Sequence, residues 1–271
     1  MKILFTPLLI LTVVCSAHTQ NPATQKQLDS IINEANRLYY YEKTVWHATD
    51  LLMEDPSILT HFGGYVVNLS EETITVTFAH ENANDRIAVY RFNYEELEKP
   101  FEIQKKTKTL EPAEKKLLDT KMKVMSQLGN EDYAIGWPEG FSPNFILLPE
   151  TNGFKFYLIM GASESGVIPF GNDYVFVTDN DGNITNWKKF HSRLIPGETH
   201  GPNGEPVNLL IHSHLMNSPF ISATDICTFR LYAPNYGIDE FKVLCIATSS
   251  YYTYSIKTNS ITVESIIMVM Y

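Results

Sequence analysis

The segment Leu210-Ile211-His212-Ser213-His214, with Ser222 and Asp225 following it, holds the residues best suited to chemistry. On a β-strand, residues two apart face the same way, with Cα atoms about 6.6 Å apart. His212 and His214 therefore share a face, and both imidazoles can reach one metal ion at roughly 2.0–2.1 Å. Asp225 offers a third ligand from the first turn of a helix. Three protein ligands leave the fourth position of a tetrahedral zinc ion open, which is the layout of a catalytic rather than a structural centre. Each half of the motif also has a plainer reading. A His-x-His pair can simply hydrogen-bond to its neighbours, and Ser222-x-x-Asp225 can be a capping box. The two readings of the second half coexist, because a capped helix turn is a rigid mount for a carboxylate. Joined at this spacing, the residues point to a metal.

The order His-x-His, seven residues, Ser, two residues, Asp resembles the signature of the JAB/JAMM (MPN-type) metallopeptidases. The resemblance covers roughly residues 155–260, including the apolar run Val207–Ile211 before the motif and the apolar run Phe241–Thr248 after it. It implies that His212, His214 and Asp225 hold zinc and that an upstream glutamate serves as general base. Glu164, in Gly161-Ala162-Ser163-Glu164-Ser165-Gly166, stands where the family has that glutamate. It also implies that Ser222 stabilises a tetrahedral intermediate and that the substrate is a peptide or isopeptide bond. One position departs from the pattern: Leu215 follows the second histidine, where the family has proline. Glu198 and Glu205 lie in a Gly/Pro-rich stretch and read as solvated. His191 receives no role. The alternative to a zinc-dependent hydrolase is a non-catalytic JAMM-like module that binds zinc or a partner.

Composition narrows the context. A net charge of −10 argues against nucleic acid and anionic membrane surfaces as partners. Met1-Lys2, the apolar run Ile3–Val14 and Ser16-Ala17 read as a secretory leader over residues 1–19, so the expected location is secreted or periplasmic. Lipid attachment at Cys15 is the lesser alternative, because Val14 precedes it where a small residue is expected. That apolar run is too short to span a bilayer, and no other segment is long and apolar enough. Cys227 and Cys245 lack metal or redox spacing and read as buried thiols.

The elements that must position the motif follow from periodicity. Leu28, Ile31, Ile32, Ala35 and Leu38 recur at helical spacing, and the helix runs on toward Met53, ending before Pro56. Residues 64–69, 73–79 and 86–92 are rich in β-formers between polar turns, which predicts an antiparallel meander. Residues 111–128 return to helix, with Pro112 at the start and Gly129 at the end. Strands are expected over 144–148, 154–160, 173–178, 184–190, 207–214, 241–248, 252–257 and 261–271, with a tight turn at Asn180-Asp181-Gly182-Asn183. The predicted fold is α+β: an N-terminal helix plus meander over 20–130, then a JAMM-like mixed sheet flanked by helices over 131–271.

Overall fold

The computed structural model describes residues 22–266; the expected leader and Cys15 lie outside the described residues. The fold is α+β, with a long N-terminal helix, α1 (Pro22–Met53), and four sheets. The helical spacing of Leu28, Ala35, Leu38, Val45 and Leu52 puts these side chains on one buried stripe, which is the physical reason the helix forms. Asp55 and Pro56 break it, and the short α2 (Pro56–Leu59) follows.

The first sheet is the expected meander, β1 (Phe62–Leu69), β2 (Ile74–His80) and β3 (Asp85–Phe92), extended by β4 (Glu102–Gln104) and β5 (Lys108–Thr109). Helix α3 (Pro112–Gln127) starts with Pro112 in its first turn and a reciprocal cap between Glu111 and Glu114. The second sheet has the order β10-β9-β7-β6, built from β6 (Phe141–Glu150), β7 (Gly153–Ala162), β9 (Tyr174–Thr178) and β10 (Ile184–Lys189). Its alternation is clean. Ile146, Leu148, Tyr157 and Ile159 join the core around α1, while Leu147, Phe156, Leu158 and Phe176 face a second cluster under α3.

Two strands depart from the periodicity reading. β8 (Val167–Gly171) and β11 (Leu194–Glu198) form a two-stranded sheet through the Gly/Pro-rich stretch. Pro169 faces Pro196 across it. Neither has an N–H, so this pair takes the non-hydrogen-bonded position of the ladder, where no donor is missed.

The fourth sheet carries the motif. β12 (Leu210–His214) pairs in parallel with β13 (Glu240–Cys245), and β14 (Ser250–Ser255) and β15 (Ser260–Ser265) complete it in antiparallel fashion. Helix α4 (Ala223–Tyr232) is the crossover between β12 and β13. All its residues from Ala223 to Phe229 are buried, because α1, β8 and the sheet enclose it. Trp46 of α1 packs edge-on against Tyr232 of α4 with centroids 5.1 Å apart. Pro234 ends the helix in a single 3-10 turn. Cys227 and Cys245 are buried free thiols. Among the described residues, no helix is long and apolar enough to cross a membrane.

Candidate metal centre

Strand β12 alternates as the sequence requires: Leu210, His212 and His214 are buried, and Ile211 and Ser213 are exposed. Its register with β13 sets His212 beside Val243 and His214 beside Cys245. A loop then leads to Ser222, which caps α4. Ser222 Oγ accepts from the Asp225 N–H at 3.0 Å, and Asp225 Oδ2 accepts from the Ser222 N–H at 3.0 Å. This capping box holds Asp225, 1% exposed, under the two histidines.

A third histidine joins them. His191 follows β10 and is the buried residue of an otherwise largely exposed loop, and a tight turn between β8 and β9 closes against that loop. The Asn172 N–H bonds the Arg193 carbonyl at 3.0 Å, and the Phe190 N–H bonds the Asp173 carbonyl at 3.0 Å. Gly171 makes this approach possible. Its φ is +77°, and a Cβ there would lie 2.4 Å from the Arg193 carbonyl oxygen and 3.2 Å from His191 Cβ.

Ligand atoms of His191, His212, His214 and Asp225 all lie within 4.8 Å of one another. His191 Nε2 is 2.8 Å from His214 Nε2 and 3.4 Å from Asp225 Oδ1. His212 Nε2 is 3.3 Å from Asp225 Oδ1, and His214 Nε2 is 3.1 Å from Asp225 Oδ2. A tetrahedral ion with ligands at about 2.0–2.1 Å places its ligand atoms roughly 3.3–3.4 Å apart. The two histidine–Oδ1 edges already match. The His191–His214 edge needs only a small opening.

The hydrogen-bond pattern shows which atoms are left for an ion. His214 Nδ1 lies 2.7 Å from the Phe220 carbonyl, which can only accept, so Nδ1 carries the hydrogen. His191 Nδ1 lies 2.7 Å from Asp173 Oδ1 and donates likewise. Both Nε2 atoms thus present lone pairs to each other at 2.8 Å unless a proton or a cation stands between them. His212 Nε2 and Asp225 Oδ1 are buried and have no hydrogen-bond partner. Buried polar atoms are nearly always satisfied, so two orphans facing one point are the mark of a cation site. The electrostatics agree. Burial works against charge on both rings, but Asp173 and Asp225 outweigh it for His191, and Asp225 does so for His214, so each is pushed up to about 9. Burial also works against the Asp225 carboxylate, and the three histidines nonetheless hold it well below the usual range. Two buried carboxylates thus favour positive charge in this pocket, which protonated histidines or a bound cation would supply.

His212, His214 and Asp225 are therefore brought together. Glu164 is not among the clustered ligand atoms; it lies exposed in the turn between β7 and β8. Glu198 and Glu205 are exposed as well. Ser222 Oγ donates to Asp225 Oδ2 at 2.7 Å and touches Thr224 Oγ1 at 2.8 Å. His191 carries no signal in the sequence, because it stands in no spacing relation to the motif and arrives from another sheet. A cavity of about 330 Å³ opens beside the centre, lined by His191 and His212 together with Arg193, Ile195, Ile211 and Leu215. A second group, His61, His80 and Glu81, is surface-lying, and its two rings stack at 5.0 Å and 12°. In-plane lone pairs of stacked rings run side by side and do not converge on one ion. No family model, curated protein or solved structure matches the chain, so the metal centre is read from its own residues and geometry.

Proposed function

We propose that this chain is a zinc protein whose ion is held by His191, His212, His214 and Asp225, in a centre organised like that of the JAMM metallopeptidases but closed by a fourth protein ligand. The observation that carries the reading is the pair of facing Nε2 atoms whose Nδ1 hydrogens are already committed, beside the orphaned His212 Nε2 and Asp225 Oδ1. Three imidazoles and one carboxylate, with ligand atoms within 4.8 Å of one another, suit zinc better than the oxygen-preferring magnesium or calcium. Four protein ligands are the pattern of a site that holds structure or a partner surface, so the non-catalytic reading of the motif leads.

Purified protein loaded with zinc should retain about one ion per chain. Cobalt in its place should give the intense visible absorption of a four-coordinate centre, and His191→Ala should weaken that absorption and the affinity together. Retention of no zinc above background would end the proposal. Full affinity in His191→Ala would reduce the centre to the three ligands of the motif.

The cavity that reaches His191 and His212 favours a second reading, an exported zinc-dependent hydrolase acting on a peptide or isopeptide bond. Bound zinc would polarise the scissile carbonyl. Glu164 would have to swing in from its exposed turn to serve as base, and Ser222 would have to leave Asp225 to donate to an oxyanion. Assays with peptide and isopeptide substrates decide between the readings: turnover that is lost in Glu164→Gln at unchanged zinc content establishes the hydrolase. Export under the expected leader belongs to the same reading, and N-terminal sequencing of the mature protein tests it.

A further inference from the structure

Metal-ligating histidines depend on what their second ring nitrogen touches, and that partner fixes both tautomer and ring angle. For His191 the partner is Asp173, 3% exposed, whose Oδ1 accepts from Nδ1 at 2.7 Å. Asp173 does not stand alone. Its Oδ2 accepts a short hydrogen bond from Thr224 Oγ1, on the first turn of α4. Thr224 Oγ1 lies 2.8 Å from Ser222 Oγ, which donates to Asp225 Oδ2 at 2.7 Å. His191, Asp173 and Thr224 thus form one hydrogen-bonded arm and Ser222 with Asp225 another, and the two arms touch where the hydroxyls of Thr224 and Ser222 meet. Two hydroxyl hydrogens serve three oxygen–oxygen contacts, and carboxylates are the stronger acceptors, so each hydroxyl faces its own carboxylate.

We infer that Asp173 is a positioning residue that makes His191 a metal ligand, and that Thr224 holds Asp173 to the helix carrying Asp225. This inference rests on the zinc reading. Among the four proposed ligands, Asp173 makes its direct polar contact with His191 alone. Removing such an outer partner typically lowers metal affinity about 10–100-fold.

The test is a chelator competition at fixed pH on the zinc-loaded parent, Asp173→Asn, Thr224→Val, His191→Ala and the double variant Asp173→Asn with His191→Ala. Asp173→Asn should weaken zinc by about 10–100-fold and Thr224→Val by a smaller factor. In the His191→Ala background, Asp173→Asn should have almost no further effect. A purely structural role would lower affinity equally in both backgrounds, and that result would overturn the inference, as would parent-like affinity in Asp173→Asn. If Asp173→Asn does not fold, Thr224→Val decides, since it removes one methyl-sized hydroxyl contact to Asp173; unchanged zinc affinity there sinks the proposal. A parent that binds no zinc defeats the zinc reading itself, which is a distinct outcome.

Discussion

The two oxygens of Asp225 have different surroundings, and both border the histidine cluster. Oδ2 accepts from the Ser222 N–H and hydroxyl, while Oδ1 faces His191 and His212 with no hydrogen. Ser222 therefore acts on the centre through Asp225. Ser222→Ala should lower stability by about 1 kcal/mol, the worth of a helix cap, and should also weaken zinc, because Asp225 loses the groups that aim Oδ1. Urea melts of metal-free protein and a zinc titration of the same variant check the two effects. A destabilised variant with parent-like zinc affinity would reduce Ser222 to a cap alone. At this scale the sequence was informative wherever ligands are close along the chain. His212 and His214 share β12, Asp225 stands in the first turn of the next helix, and local spacing sets their relation. Asp173 and His191 arrive from the β8–β9 turn and the loop after β10, where no spacing rule connects them to β12.

The elements place the third histidine by a single close approach. The β8–β9 turn and the loop 190–193 meet where Gly171 has a positive φ, and its missing Cβ leaves room for the Arg193 carbonyl. Gly171→Ala combines a strained backbone with a collision against main chain that cannot move alone. We expect a loss of about 1–3 kcal/mol in stability and a zinc affinity that approaches that of His191→Ala, because the loop carrying His191 must retreat. Thermal melts with and without zinc would show it: a variant still stabilised by zinc as strongly as the parent would mean the loop tolerates the shift. Periodicity identified α1, α3, the meander and β12 because each buries one face of a regular pattern. It failed at β8 and β11, where Pro196 and Gly197 signal a loop; a strand is tolerable there because Pro196 falls at a non-hydrogen-bonded position of the ladder. Residues 207–209 were expected in strand β12, but Val207 bonds Thr199 instead and the strand begins at Leu210.

Across the whole molecule, one apolar cluster runs from Leu28 of α1 through the meander and the second sheet to α4 and Ile261 of β15. Beside it, α1 and α3 bury a charged pair. Glu42 is 1% exposed and Lys121 is 5% exposed, with Lys121 Nζ near the Tyr41 hydroxyl at 3.2 Å and over the Tyr65 ring at 3.5 Å. Burial pushes Glu42 up to about 7 against the pull of Lys121, and burial pushes Lys121 down to about 7. The signs are opposite. Raised Glu42 contributes stability below its unfolded value that is lost as pH rises through about 7, whereas depressed Lys121 contributes stability at high pH that is lost as pH falls through about 7. The pair thus weighs most on the fold near neutrality. Glu42→Gln should gain stability over the parent as pH rises from about 5 to 8, and Lys121→Met should gain most at about pH 5 and least at about pH 9. Melting curves across that range check both; gains independent of pH in the two variants would mean that neither group changes its charge on folding.

Local spacing was enough for the α+β class, the long helix, the meander and a candidate ligand set of two histidines and an aspartate. These depend on interactions within one element or between an element and its own cap, where spacing along the chain is also spacing in space. Only folding in three dimensions brings His191 to the cluster, Asp173 behind it and the Thr224 hydroxyl onto Asp173. Those contacts span 18 residues from Asp173 to His191 and 51 from Asp173 to Thr224, and they form only when the second sheet docks against α4. The position of Glu164 was likewise decided there, since the β7–β8 turn leaves it facing solvent.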